Sequence, residues 1–397
     1  MTDYWIQCAG QNIAVILDIA WWVIAMCLAR KKIWRLVISL FMAVQLSCGI
    51  LIAWGVDLSV HIPTAALTAV ILWHFFGISA LTGLGVLYMC HRMIRPRRQR
   101  VSAIENGLTV TSDTENSISR RDFIGACAAL APPLATFSIT GIAMAQINEF
   151  RLRRFTLSLP SLPKSLDGVT IAHVSDVHVG QWTHGPILKK IVERTNAMNA
   201  DLVVVTGDLI NFELSDLSES IDLLKQMHGR YGLYMVEGNH DLLENGAEFE
   251  RRVKQSGLSL LVDESTVCEV RGHPVQFLGL RWTESFGSPN DKVISRQVGE
   301  LMKQRRPDAF PIFLAHHPHA FDAAAANGLP LTLTGHTHGG QLMLDKDVGV
   351  GPALFRYWSG LYKREQSQLI VSNGVGNMFP IRINAPAELV HITLRCA

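Results

Sequence analysis

The sequence contains few charged residues for its length. Charged side chains make up 18% of the 397 residues, whereas a soluble domain carries roughly 25%. Hydrophobic residues reach 48%. This composition excludes a disordered or fibrous chain and disfavours a purely soluble one.

The chain also lacks a strong charge of either sign. Its 36 Lys and Arg residues nearly balance its 34 Asp and Glu residues. Because binding to nucleic acid without sequence preference needs a basic field, we expect no nucleic-acid partner. Cysteines are few as well: the polar C-terminal part contains Cys268 and Cys396, which allow one disulfide but no disulfide scaffold.

Long apolar runs are present, and they are concentrated near the N-terminus. Three of them reach the length of about 20 residues that spans a bilayer. They cover approximately residues 13–29, 36–54 and 65–90. We therefore predict an N-terminal α-helical transmembrane region of about three helices within residues 1–100.

The loops between these runs differ in charge. Residues 30–35 and 91–100 are rich in Lys and Arg, whereas residues 55–63 contain neither. Because positively charged loops remain in the cytoplasm, the pattern predicts residues 30–35 and 91–100 inside and residues 55–63 outside, in a multi-pass protein of the cell membrane.

Residues 101–118 form a predicted polar linker, and residues 119–147 allow two interpretations. Arg120-Arg121 followed by an apolar stretch that ends in Ala143-Met144-Ala145 resembles a twin-arginine export signal. Alternatively, the two arginines flank a fourth transmembrane span. Both interpretations place the following domain outside the cytoplasm, on the periplasmic or extracytoplasmic side.

Three polar residues lie within the apolar runs: Asp18, Gln45 and His74. Such residues are costly in hydrocarbon and can mark a ligand or ion pathway. We favour hydrogen bonds between helices as their role.

Residues 151–397 have the pattern of an α/β domain, in which short β-rich runs alternate with amphipathic helices. Polar clusters follow several predicted strands, at the position where α/β sheets place ligand sites. In chain order, the clusters are Asp176-Val-His178, Gly207-Asp208-Leu-Ile-Asn211, Gly238-Asn239-His240-Asp241, His316-His317 and Gly335-His336-Thr-His338.

These clusters supply imidazole and oxygen donors without thiolates, a set that suits Mn, Fe or Zn in a hydrolytic site. In extended chain, residues i and i+2 point the same way. Asp176 with His178, and His336 with His338, can therefore chelate a metal.

The five motifs resemble, in order, those of the calcineurin-like metallophosphoesterases. The resemblance covers approximately residues 170–395 and implies a β-sandwich flanked by helices (αββα). The segments 335–341, 372–376 and 380–382 are similar to the branch of membrane-attached or exported bacterial phosphodiesterases.

The resemblance also implies a role for each motif residue. A first divalent metal ion would be held by Asp176, His178, Asp208 and His338, and a second by Asp208, Asn239, His316 and His336. The catalytic pair would be His240, which protonates the leaving oxygen, and Asp241, which orients His240. A hydroxide bridging the two metals would attack the phosphorus.

Neighbouring residues receive more modest predictions. We expect His173 to be a hydrogen-bonded core histidine, His317 and His319 to be exposed in a loop, and Asn211 to brace the loop of Asp208.

The sequence thus predicts a membrane-tethered phosphoric ester hydrolase. Its substrate is a phosphate ester. This is either a lipid-linked phosphodiester or pyrophosphate, whose local concentration tethering would raise, or a soluble nucleotide or sugar phosphate, and no sequence feature decides between them. The alternative is a membrane sensor or transport-like module that carries a regulatory domain of the same fold.

Overall fold

The structure is a computed structural model that describes residues 2–29, 31–54, 58, 61–77, 120–147, 149–283, 290–345 and 347–397. These residues form two compact units, Met1–Ile142 and Ala143–Ala397. The second half of the third predicted span, residues 78–90, and the whole predicted linker lie outside the described residues. So do the side chains of Arg120 and Arg121, which leaves both interpretations of residues 119–147 as predictions.

The first unit is helical. Its helices are α1 (Thr2–Leu28), α2 (Lys32–Ala53), α3 (Thr64–Leu72) with a π-helical turn at Trp73–Gly77, and most of α4 (Arg120–Gln146). Two segments are long and apolar enough to cross a membrane, Lys32–Ile52 and Gly125–Gln146, and Val15–Leu28 is a shorter apolar helix. The multi-pass topology remains a prediction.

Helix α4 continues through two consecutive prolines, Pro132 and Pro133. A proline inside a helix removes a backbone hydrogen bond and frees a carbonyl four residues earlier. The Thr136 hydroxyl donates to the carbonyl of Pro132 at 3.0 Å, and the Thr140 hydroxyl donates to that of Thr136 at 2.7 Å. Both bonds lie on the C-terminal side of the prolines, where they pair the two hydroxyls with the helix backbone in an apolar segment.

Two of the polar residues in the apolar runs bond between helices, as predicted. The buried carboxylate of Asp18 accepts the indole N–H of Trp73 at 2.6 Å and lies 3.1 Å from Nε2 of His74. Gln45 is buried too, but its Oε1 has no hydrogen-bond partner among the described residues.

The second unit contains fourteen strands in its described part. They are β1 (Phe150–Leu159), β2 (Thr170–Val174), β3 (Leu202–Thr206), β4 (Leu233–Val236), β5 (Ser259–Leu260), β6 (Glu264–Val270), β7 (His273–Gly279), β8 (Phe310–Leu314), β9 (Leu331–Thr334), β10 (Met343–Asp345), β11 (Val348–Gly349), β12 (Gly360–Arg364), β13 (Ser367–Val371) and β14 (Ala387–Cys396). Its helices are α5 (Pro186–Asn196), α6 (Leu217–Lys225), α7 (Gly246–Gln255), α8 (Asp291–Met302), α9 (Ala320–Ala326) and α10 (Val350–Leu354).

Twelve of these strands form two six-stranded sheets. The strand orders are β1-β14-β2-β3-β4-β5 and β12-β13-β9-β8-β7-β6, and β10 pairs with β11 in a separate hairpin. A central core joins the inner faces of the two sheets, with Ile171 and Val204 from one sheet and Phe277 and Ile312 from the other. Helices cover both outer faces, so the predicted αββα arrangement is confirmed.

Strand β3 illustrates how the sequence specifies these layers. Leu202 and Val204 belong to the core between the sheets, whereas Val203 and Val205 pack with the helices on the outer face. A strand buried on both faces needs a continuous apolar run, which the segment Leu-Val-Val-Val provides.

Candidate metal centre

The polar clusters of the sequence meet at one edge of the sandwich. Strands β2, β3 and β4 run parallel in one sheet, and β7, β8 and β9 run parallel in the other. The carboxyl ends of parallel strands share one edge of a sheet. The residues that follow these ends are Asp176 and His178 after β2, Asp208 after β3, Asn239 and His240 after β4, His316 after β8, and His336 and His338 after β9.

The backbone turns sharply as it leaves the strands. Positive φ angles occur at Asp176 (52°), His178 (48°), Asp208 (53°), His336 (72°) and His338 (48°). This left-handed conformation is uncommon for residues other than glycine and costs of order 1–3 kcal/mol at each position. Such strain is concentrated at the predicted ligands.

A first group of donors consists of Asp176, His178 and His338, whose candidate ligand atoms lie within 4.8 Å of one another. The Nε2 atoms of the two histidines are 3.0 Å apart, and His338 Nε2 is 3.5 Å from Asp176 Oδ1. Two imidazole nitrogens and a carboxylate oxygen directed at one point form a suitable site for a divalent cation.

A second group consists of Asp208, His316 and His336, with the same spacing of candidate ligand atoms. His316 Nε2 lies 3.1 Å from Asp208 Oδ2 and 3.2 Å from His336 Nδ1. Asp208 Oδ2 is also 3.5 Å from Nε2 of His178 in the first group. Asp208 is therefore the residue that links the two groups.

Asn239 contributes a buried Oδ1 that has no hydrogen-bond partner among the described residues. The next residue, His240, donates its backbone N–H to Asp208 Oδ1 at 2.8 Å, which places Asn239 beside the second group. Because a buried amide oxygen without a partner is costly, a cation ligand accounts for its position. The donor set fits two divalent cations.

The electrostatics of the pocket leave His178, His336 and His338 in the neutral state that binds metal. At His316, burial is outweighed by attraction to the carboxylate of Asp208, which raises the pKa to about 9, so a cation must displace a proton there. Burial, followed by repulsion from neighbouring cations, lowers the pKa of His336 to about 3. Burial lowers the pKa values of His178 and His338 well below the usual range, so these imidazoles are neutral. The carboxyl of Asp208 has a pKa well below its usual value because attraction from His316 and other histidines outweighs burial.

His240 is held by a backbone carbonyl. Its Nδ1 lies 2.6 Å from the carbonyl oxygen of Asn211, so Nδ1 carries a proton and Nε2 is the nitrogen available for proton transfer. The ring packs edge-to-face against His178, with the centroids 4.6 Å apart. Asn211 thus contacts the predicted acid directly, in addition to its place in the loop after Asp208.

Asp241 differs from its predicted role. Its Oδ1 accepts the backbone N–H groups of Leu209 and Ile210 at 2.7 and 3.1 Å, and its Oδ2 accepts that of Gly238 at 2.8 Å. The carboxylate therefore ties together the loops after β3 and β4. The His240 ring donates its Nδ1–H to the carbonyl of Asn211 and not to Asp241.

Comparison with known proteins agrees with this geometry. A family profile for calcineurin-like phosphoesterases matches residues 169–340. Residues 169–340 are therefore similar to a calcineurin-like phosphoesterase domain.

Curated relatives of this phosphoesterase domain include membrane proteins. A transmembrane protein with metallophosphoesterase domain from Danio rerio is 29% identical over 255 residues, which cover 61% of this chain and 56% of the relative. An uncharacterised metallophosphoesterase from Campylobacter jejuni is 26% identical over 60% of this chain and 62% of its own length. The chain thus spans little more than half the length of these relatives.

Among solved structures, an archaeal phosphodiesterase is similar at a TM-score of 0.29 and 12% identity. The match covers 52% of this chain and 85% of the archaeal chain.

The predicted exposure of two histidines near the phosphoesterase site is wrong. His317 and His319 are both buried. Trp282 and Phe355, which come from distant segments, pack against the His317 ring with centroids 5.6 and 6.4 Å away. Trp282 also packs against His336 at 5.0 Å and forms an aromatic wall beside the second group.

The structure also bears on the predictions for His173 and for the two cysteines of the domain. His173 is buried, and its Nε2 lies 2.8 Å from the Thr206 hydroxyl, as expected for a hydrogen-bonded core histidine. Cys268 and Cys396 are free, so the one disulfide that the sequence allowed is absent from the described structure.

One buried residue at the site received no role from the sequence, although the segment Pro380-Ile-Arg382 belonged to the resemblance. Arg382 is fully buried, and its Nη2 lies 3.0 Å from His338 Nδ1. The same guanidinium donates to the carbonyls of Asn373, Gly376 and Ala385. It therefore joins the ring of His338 to the loop that follows β13.

Gly335 shows how closely these loops approach one another. A Cβ atom at this position would overlap the Ser175 hydroxyl and the carboxylate of Asp176. Because only glycine leaves this space, the sequence Gly335-His-Thr-His is required by packing as well as by chelation.

Proposed function

We propose that this chain is a membrane-attached, metal-dependent phosphoesterase whose site is the one described above. The observation that carries the proposal is the convergence of two donor groups, linked by Asp208, at one edge of the sandwich. The family profile supports a hydrolase of phosphate esters.

The proposed metal ligands follow the two donor groups. The first cation is assigned to Asp176, His178, Asp208 and His338, and the second to Asp208, Asn239, His316 and His336. Mn, Fe and Zn all suit this mixture of imidazole and oxygen donors. When bound, such cations supply Lewis-acid chemistry, which offsets the charge that develops on a phosphoryl group.

The proton for the leaving group is assigned to His240. Because the Asn211 carbonyl holds the proton on Nδ1, a second proton on Nε2 makes the ring a cationic donor directed by a fixed hydrogen bond. His240 stabilises the developing charge and then transfers the Nε2 proton to the departing oxygen. Asp241 acts indirectly, because it fixes the two loops that carry Asp208 and Asn239.

We place the phosphoesterase domain on the extracytoplasmic side of a membrane. The two apolar segments Lys32–Ile52 and Gly125–Gln146 support membrane association, as does the printed description of the Danio rerio relative. The basic loops at 30–35 and 91–100 support the orientation.

The test is hydrolysis of bis-p-nitrophenyl phosphate and p-nitrophenyl phosphate by the full chain in detergent, with Mn²⁺, Fe²⁺ or Zn²⁺ added singly. Loss of a general acid lowers the rate by about 10²–10⁴-fold, so we expect that decrease for His240→Ala. Asp208→Ala removes the shared ligand and should abolish activity. Gly299→Ala serves as the control, because a Cβ atom there contacts nothing within 4 Å.

Full activity of both His240→Ala and Asp208→Ala would refute the proposed mechanism. The ratio of diester to monoester hydrolysis in the wild-type chain also identifies which ester class the site prefers.

A further inference from the structure

Strands β10 and β11 and helix α10 form a short segment at the border of the phosphoesterase site, residues 343–354, which we call the rim segment. It begins just after the loop of His338 and ends at Phe355. The Phe355 ring lies 5.8 Å from that of His336. Both ends of the rim segment are therefore fixed beside the donor groups.

The rim segment exposes large apolar side chains. The exposed fractions of Leu344, Val348 and Leu354 are 83%, 55% and 66%. In the described part of the second unit, only two other large hydrophobic side chains are exposed, those of Leu152 and Phe212. Monomeric soluble proteins rarely concentrate such side chains, and a concentration of them marks an interaction surface.

The base of the rim segment is connected to the end of a candidate membrane span. Asn384 donates from Nδ2 to the carbonyl of Met343 at 2.9 Å, and its backbone N–H donates to Oε1 of Gln146 at 3.2 Å. Gln146 is the last residue of the apolar segment Gly125–Gln146. One residue, Asn384, therefore contacts both the rim segment and the point where the chain leaves this span.

We propose that the rim segment docks into the surface of the lipid bilayer from which the chain emerges at Gln146. An interfacial anchor needs exposed apolar side chains close to the headgroups, and Leu344, Val348 and Leu354 provide them. The sequence Asp345-Lys346-Asp347 contains more acid than base, so docking depends on apolar burial and not on attraction to anionic lipids.

Docking determines the substrate class, and this step rests on the proposed function. The rim segment borders the metal centre, so its insertion places the pocket at the depth of the lipid headgroups. The substrate is then a phosphodiester or pyrophosphate of a membrane lipid, whose phosphate lies at that depth.

The first experiment measures docking without catalysis. The full chain, carrying the photo-crosslinker p-benzoylphenylalanine at Leu344 or Leu354, is placed in nanodiscs of phosphatidylethanolamine and phosphatidylcholine with an alkyne-tagged phosphatidylcholine. The control position is Glu365, an exposed residue between β12 and β13. It lies at the amino end of β13, away from the carboxyl strand ends that carry the donor groups. We expect lipid adducts at 344 and 354 and none at 365. The adducts should be unchanged in 0.5 M NaCl, because an ionic strength of about 0.5 M screens charges beyond a few ångströms.

Absence of lipid adducts at 344 and 354 overturns the proposal. So does crosslinking to a second copy of the chain in place of lipid. Equal lipid labelling at 365 also contradicts it, because the contact would not be specific to the rim segment.

The second experiment tests the substrate class with Leu344→Asn combined with Leu354→Asn. Full burial of one leucine changes an equilibrium by at least about tenfold, so hydrolysis of a fluorescent phosphatidylethanolamine in vesicles should fall by about tenfold or more. Hydrolysis of soluble bis-p-nitrophenyl phosphate should remain unchanged, which also shows that the variant is folded.

Equal hydrolysis of the vesicle lipid by the variant and the wild type contradicts the inference. Hydrolysis of the soluble diester but not of the vesicle lipid by the wild-type chain also contradicts it. If the wild type hydrolyses neither probe while the lipid adducts form, the proposed function fails and the docking remains.

Discussion

Replacement of Arg382 by methionine tests whether one buried cation holds the metal centre together. The Arg382 side chain is fully buried, and its Nε donates to Oδ1 of Asn377 at 2.9 Å. Nη1 donates to the Asn373 carbonyl at 2.8 Å, and Nη2 donates to the Gly376 carbonyl at 2.5 Å. Burial lowers the pKa of Arg382 to about 10, which still leaves the group charged at neutral pH.

Methionine approximates the length of arginine but offers no donors. Each buried acceptor left without a partner costs about 1–3 kcal/mol, and at least three acceptors lose theirs. Removing one member of a buried charged network costs about 3–5 kcal/mol, and we expect a decrease of that size in the free energy of unfolding. For a domain of this size, 1 kcal/mol shifts Tm by about 2–4 °C, so Tm should fall by roughly 6–20 °C.

The assay is thermal unfolding of the full chain in detergent, followed by near-ultraviolet circular dichroism, together with metal content by mass spectrometry. Loss of the contact with His338 should weaken metal binding by about 10–100-fold, as is typical when a residue that orients a ligand is removed. The matched control is Arg251→Met, since Arg251 is half-exposed and pairs with Glu248 in a surface ion pair worth less than about 1 kcal/mol. An Arg382→Met chain as stable and metal-loaded as this control would refute the reasoning.

Three further predictions concern single positions. Gly335→Ala should abolish metal binding and activity, because its Cβ atom overlaps Asp176, whereas Gly299→Ala should leave both unchanged; metal analysis and diester hydrolysis decide this. Asp241→Asn puts an NH₂ group in place of one of the two carboxylate oxygens, which together accept three backbone N–H groups; at least one of these bonds is lost, so we expect about 1–3 kcal/mol lower unfolding free energy by denaturant titration. Asp18→Leu should lower the thermal stability of the helical unit and leave soluble-diester hydrolysis intact; lost hydrolysis would contradict an anchoring role for that unit.

The site was predictable because its signals are local. Each strand end next to the metal centre is an apolar run followed within two residues by glycine, acid or histidine, as in the segment from Leu202 to Asp208. The hydrophobic run specifies a strand buried on both faces, and the polar residues that follow it must lie at the sheet edge.

Other features depend on contacts that no local pattern contains. Strand β1 has alternating arginines and is half-exposed, so the sequence of this segment alone did not indicate a strand. Its partner strand β14 lies more than 200 residues away in the chain. The burial of His317 depends on Trp282 and Phe355, which approach it only after folding. The role of Arg382 becomes visible only from the positions of the three loop carbonyls to which its guanidinium donates.

The sheet order has a consequence for biogenesis. Strand β14 lies between β1 and β2, and Arg151 next to the end of α4 bonds to Glu388 across a separation of 237 residues. Strand β1 therefore has no neighbour in its sheet until residues beyond 386 have been synthesised. This sheet can therefore close only after almost the whole chain has been synthesised, which leaves apolar strands unpaired during that interval.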